Sequence, residues 1–136
     1  MKKICLIAIS FLFHLPQVAQ AQHEDFTTFL EKFRQDEAFQ KSRLVDSVRV
    51  VYATGDFLEQ KNGHFLPEMD RLLVSKENWI FEALTFQENT IEEVELVEPK
   101  LIRFQIIGVD NGIFITCWFL SIQNKWHLKG YVDDST

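Results

Sequence analysis

Apolar side chains in the front of this chain recur at helical spacing, and in the back half they alternate. Phe26, Phe29, Leu30 and Phe33 fall on one stripe, which predicts a helix packing an aromatic face inward, with Glu24 or Asp25 at its positive N-terminal end. Continued straight on at about 100° per residue, Phe39 leaves that stripe. Asp36 lies three residues before it and is a good N-cap, so the pattern predicts a break near Gln35-Asp36 and a second short helix to about Arg43. Val48, Val50 and Tyr52 then alternate with Arg49, Val51 and Ala53, a strand closed by Thr54-Gly55-Asp56. In 56–78, Asn62-Gly63 predicts a turn. Pro67 with Met69, Leu72 and Leu73 predicts a short helix with proline in its first turn, and Ser75 a capped turn running to Trp79. Residues 80–86 read as a strand with Ile80, Leu84 and Phe86 on one side. Residues 92–98 read as a strand with Val94 and Leu96 against Glu93, Glu95 and Val97, a pattern suited to a sheet edge. Segments 101–109, 113–122 and 126–132 form a meander turned by Asp110-Asn111-Gly112 and Gln123-Asn124-Lys125. Helices followed by an antiparallel sheet give an α+β fold.

If Asn111-Gly112 is a two-residue loop, Gly108 meets Ile115, Ile106 meets Cys117 and Phe104 meets Phe119. A second two-residue loop adds Trp126, Leu128 and Val132 to the same, almost purely apolar face, which the helices should cover. The opposite face carries Arg103, Gln105 and Ile107, then Phe114, Thr116, Trp118 and Leu120, then His127, Lys129 and Tyr131. Amphipathic aromatics with an arginine are the composition of a contact surface. The candidate interface residues are therefore Arg103, Phe114, Trp118, Leu120 and Tyr131, for a homodimer or another protein partner. The competing expectation is that the N-terminal region or the 56–78 segment folds over this face.

The first 21 residues read as a secretory signal peptide. Lys2-Lys3 precedes an apolar run from Ile4 to Leu15, and Ala19-Gln20-Ala21 forms a small-x-small site with the cut expected after Ala21. The run is short for a bilayer span, so no membrane anchor is expected and the product is periplasmic or secreted. Residues 22–136 are then a single domain. The whole chain has 14 Lys and Arg against 20 Asp and Glu, a net charge of -6. The leader takes Lys2 and Lys3, leaving the remainder more acidic still. With its cations scattered among carboxylates, nucleic acid is not an expected partner. Cys5 leaves with the leader and Cys117 stays alone, so stability rests on packing rather than a disulfide.

No motif carries chemistry. Asp110 beside Asn111-Gly112 reads as a turn residue, and His64 and His127 have no second ligand at metal spacing. Cys117 has no positive neighbour to lower its pKa. The Glu92-Glu93-Glu95-Glu98 run is the acidic face of a strand and not a calcium loop. No catalytic residue, cofactor or metal site is expected.

Phe26, Phe29 and Phe33, Asp36-Glu37-Ala38-Phe39-Gln40-Lys41-Ser42-Arg43, Asn78-Trp79, Gly108-Val109-Asp110-Asn111-Gly112-Ile113, Lys125-Trp126-His127-Leu128 and Val132-Asp133-Asp134-Ser135 together resemble a family of small secreted bacterial proteins of unknown function. That family is a branch of the nuclear-transport-factor-2-like (cystatin-like cone) superfamily. The likeness covers nearly all of residues 22–136, departing where Leu44-Val45-Asp46-Ser47 stands in place of a Phe-Pro-Leu-like stretch. It implies helices packed on a strongly curved antiparallel sheet. Any small-molecule pocket would lie between them, on the side of Ile106, Cys117, Phe119 and Trp126, which offers almost no ionisable groups. Fold alone does not choose among the functions this superfamily hosts. The expectation is a non-enzymatic exported domain acting by binding or self-association through the face around Trp118. The alternative is a small-molecule enzyme of isomerase or dehydratase type, or a carrier of a small apolar ligand, using the cone.

Overall fold

Asp25 and Asp36 begin the two helices as their spacing demands. In the computed structural model of the protein, which describes residues 22–85 and 88–136, the Asp25 carboxylate accepts from the Thr28 N–H at 2.8 Å and opens α1 (Phe26–Gln35). The Asp36 carboxylate accepts from the Phe39 N–H at 2.8 Å and opens α2 (Glu37–Ser42). Each cap satisfies an N–H that the helix itself leaves free. The leader reading and Phe86 lie outside the described residues.

Six strands follow: β1 (Leu44–Glu59), β2 (Phe65–Ser75), β3 (Thr90–Glu98), β4 (Leu101–Gly108), β5 (Phe114–Ile122) and β6 (Lys125–Asp133). They form one strongly curled sheet in the order β2-β1-β6-β5-β4-β3. The sheet is mixed, where a purely antiparallel one was expected, because β1 runs parallel to β6. The cause lies at the end of α2. The Arg43 carbonyl accepts from the Leu128 N–H at 2.8 Å, so β1 leaves the helices beside the β5–β6 turn and travels in the direction β6 travels. Leu44 pairs with Leu128, and the register shifts before Arg49 meets Gly130. The departure at 44–47 thus falls on this irregular entry into the sheet.

Residues 65–75 are a strand and not the expected helix. Asn62-Gly63 does turn the chain, with Gly63 at φ 77°, and the returning segment pairs Val74 with Val48, Leu72 with Val50 and Asp70 with Tyr52. β2 is an edge strand, where a proline costs the sheet little, and Pro67 sits opposite Phe57. β1 also runs on past Gly55, at φ 87°, through a register shift between Ala53 and Phe57.

The core lies between the helices and one face of the sheet. Phe119 is fully buried at its centre, and Phe26, Phe29 and Phe33 each set a ring about its own at centroid distances of 5.4 Å, with planes 67° to 88° apart. Edge-to-face packing of this kind adds to the area term for each ring. Ile102, Phe104, Ile106, Cys117 and Leu128 complete the layer.

Residues 80–85 are irregular, and Gln40 explains it. This fully buried side chain donates Nε2 to the carbonyls of Phe33 (3.0 Å) and Glu82 (2.7 Å). Its Oε1 accepts from Trp79 Nε1 (2.8 Å) and the Glu82 N–H (3.0 Å). The amide therefore takes the backbone groups that a strand would have offered a neighbour, and it fixes Trp79 and Leu84 over the core. At the other end of the helices, the Glu24 carboxylate receives both terminal nitrogens of Arg43 at 2.8 Å and the Trp126 N–H at 2.9 Å. Burial would raise its pKa, but the Arg43 and Trp126 hydrogen bonds and the charges of Arg43 and Lys125 outweigh this and hold it below the usual carboxylate value.

Candidate functional site: the outward face of the sheet

Side-chain alternation in the last three strands delivers the two faces, with two adjustments. The β4–β5 loop is longer than two residues. Asp110 (φ 58°) and Gly112 (φ 71°) both take left-handed conformations, and Gly108 N–H bonds the Ile113 carbonyl at 2.7 Å. Phe104 therefore meets Cys117 and Ile106 meets Ile115, a slip of two residues from the expected register. An even slip leaves every side chain on its predicted face. Cys117 and Phe119 are sealed inside, and Trp118 is on the other side, opposite Arg103.

The second adjustment changes the assignment of a predicted residue. Gln123-Asn124, both at positive φ, make the expected two-residue turn. However, Phe119 pairs with Leu128 and Trp118 with Gly130, so Lys129 is bulged. After the bulge the parity inverts. Tyr131 turns inward to the core, its ring 6.4 Å from that of Trp79, and Val132 turns outward. Tyr131 is therefore not on the outward face, whereas Arg103, Phe114, Trp118 and Leu120 are.

The face is wider than the meander. Following the pairing across all six strands gives one row, Leu73–Arg49–Gly130–Trp118–Arg103–Glu95, and beside it Arg71–Val51–Val132–Thr116–Gln105–Glu93. Trp118 lies against Gly130, where a methyl group would meet its Cδ1 at 3.5 Å. The Arg103 guanidinium lies 6.0 Å from the Trp118 ring and is ion-paired with Glu95, and Gln105 Nε2 donates to Thr116 Oγ1 at 3.1 Å. Between β2 and Trp118 runs an open groove of about 900 Å³, bordered by Val51, Leu73, Val132 and the cations Arg49, Arg71 and Lys129. Leu73 is 74% exposed at its rim. Among the described residues, neither segment 22–43 nor the 56–78 segment folds over the face. Residues 65–75 extend it as β2.

Arg49, Arg71 and Leu73 were not among the sequence candidates. A helical reading of 67–73 concealed Arg71 and Leu73, and Arg49 joins the face only through the pairing of β1 with β6.

On the inner side, rings fill the place where a pocket was expected. The Cys117 thiol is pushed up by burial and by the Glu82 charge. The Tyr131 hydroxyl is pushed up by burial, then by Glu82 and Asp133. Glu82 itself is raised by burial and by the Asp133 charge, so this side holds more ionisable character than the sequence suggested. Its carboxylate has no hydrogen-bonding partner among the described residues, and only its backbone is held, by Gln40. His127, on the outward side, is lowered by burial against a raising contact from the Lys125 carbonyl. Among the described residues no three His, Cys, Asp or Glu side chains gather at metal-binding distance, and no helix is long and apolar enough to cross a membrane.

No family model matches the sequence, and no curated protein matches it significantly. Solved structures do. A nuclear-transport-factor-2-like protein of Bacteroides fragilis superposes with a TM-score of 0.56 at 17% identity, over 85% of this chain and 49% of that one, so the chain spans about half of that protein's length. A cystatin-like protein of Bacteroides caccae gives 0.51 at 22% identity over 82% and 77% of the two chains. A protein of Bacteroides uniformis solved by NMR gives 0.51 at 20% over the same shares. With two helices packed on a strongly curled mixed sheet, the chain has the nuclear-transport-factor-2-like cone fold.

Proposed function

We propose that this protein is an exported, non-enzymatic domain that acts by associating with another protein surface, first of all its own, through the outward sheet face around Trp118. Export rests on the sequence pattern of residues 1–21. The observation that carries the association is the uncovered row through Trp118. It spans six strands and places Leu73, Val51, Val132, Trp118 and Leu120 on a face that no other element of the described chain covers. Apolar side chains gathered around a tryptophan on an uncovered face, with arginines beside them, are the composition of a contact surface. The inner side supports the same reading, since its centre is packed with rings.

Sedimentation velocity over a concentration series is expected to show the protein passing from monomer to dimer. Trp118→Glu, which sets a charge at the centre of the face and leaves the core untouched, is expected to hold it monomeric at every concentration with its thermal midpoint nearly unchanged. A monomer throughout the series, or a dimer indifferent to Trp118→Glu, would overturn the proposal.

A further inference from the structure

The groove between β2 and Trp118 gathers charge of one sign only. Arg49 on β1, Arg71 on β2 and Lys129 on β6 border it and no carboxylate does, in a chain whose Asp and Glu outnumber its Lys and Arg by 20 to 14. The three cations stand on neighbouring strands. Arg49 pairs with Gly130, the residue after Lys129, and Arg71 pairs with Val51, two positions along from Arg49. Arg49 and Arg71 are therefore diagonal neighbours, about 7–8 Å apart at Cα. All three residues are exposed and none has an ion pair among the described residues, whereas Arg34, Arg43 and Arg103 are each bound to a glutamate. Like charges held this close repel one another, and a counter-charge from outside the chain relieves the repulsion.

We infer that the groove is a binding site for a small organic anion, its acidic group held by Arg49, Arg71 and Lys129 and its flat apolar body set against Trp118. A guanidinium meets the paired oxygens of a carboxylate, sulfonate or phosphate with two parallel N–H donors. The rest of the lining suits the body of the molecule. Val51 and Val132 are half-buried beside the arginines, Gly130 leaves its place in the row without a side chain, and the indole of Trp118 stands on the far side of it, where a flat ring stacks favourably. The volume, about 900 Å³, is within the usual range of small-molecule sites. Charge also bounds the size of the occupant. Beyond Trp118 the same face carries Glu93, Glu95 and Glu98 with one arginine, Arg103, among them, so an acidic protein segment or a nucleic acid crossing the strands would pass from cations to carboxylates within a few strand widths. A small molecule stays at the cationic end. The site lies within one chain and does not rest on self-association.

Two dyes with the same rings test the site: anilinonaphthalenesulfonate, and phenylnaphthylamine, which lacks the sulfonate. With a net charge of -6, the protein as a whole repels the anionic dye, so only a local cationic site makes the sulfonate the better ligand. Titrated by fluorescence into dilute protein, the sulfonate is expected to saturate at one per chain and to bind at least about tenfold more tightly than the neutral dye. Arg49→Gln with Arg71→Gln is expected to remove that preference while leaving the neutral dye's affinity and the thermal midpoint unchanged. Lys61→Gln, which deletes an exposed cation at the β1–β2 turn, is expected to change the binding of neither dye. A neutral dye that binds as well as the sulfonate, a preference that survives the arginine double variant, or one that Lys61→Gln also abolishes would overturn the inference. Binding of neither dye would do the same, and would leave the association reading to its own test.

Discussion

Gln40→Leu is expected to lower the unfolding free energy by about 3 kcal/mol or more, and the thermal midpoint by about 15 °C for a domain of this size. Leucine fills nearly the same volume, so the loss comes from the four groups it strands. The carbonyls of Phe33 and Glu82, the Glu82 N–H and the Trp79 indole N–H all bond to this one amide. Each buried polar group left without a partner costs its full desolvation. Residues 79–84 should loosen with it, because little regular structure holds them otherwise. Urea denaturation gives the free energy. Protection of the Glu82 amide from hydrogen exchange gives the mechanism, since it should fall in the variant before the protection of β5 does.

Phe119→Ala is expected to cost about 3–5 kcal/mol. Three phenylalanine rings meet the Phe119 ring near right angles, all from α1, a helix that cannot follow a shrinking side chain without dragging its neighbours, so the cavity persists. Trp118→Ala, one residue away on the opposite face, removes a larger side chain yet should cost less than half as much in the monomer. A comparison of the two by chemical denaturation at low protein concentration reads the alternation of β5 directly. Equal costs would mean that the faces are not as described.

Much of this was legible because it depends on periods that side chains obey individually. The break at Asp36 follows from one cap and one misplaced phenylalanine, and the inward set of Cys117 and Phe119 from alternation that an even register slip cannot disturb. What escaped depends on single residues or on contacts distant in sequence. The bulge at Lys129 adds one residue and exchanges Tyr131 with Val132, and no periodicity announces it. Gln40 lies on a short helix among charged neighbours and reads as solvent-facing, until residues 79–82 arrive to bond it. The parallel pairing of β1 with β6 is set by where α2 ends, which no local pattern records. Reading 67–73 as a helix hid the β2 edge of the candidate face, since Leu73 and Arg71 belong to it only when that segment is extended.

The claim that the outward face is where this protein meets its partner is tested most directly by hydroxyl-radical footprinting at low and high protein concentration. Trp118 and Leu73 are predicted to lose reactivity together as concentration rises. Ile80, 79% exposed and outside the six strands, should react equally in both samples. Unchanged labelling of Trp118 and Leu73 in the most concentrated sample would contradict the account.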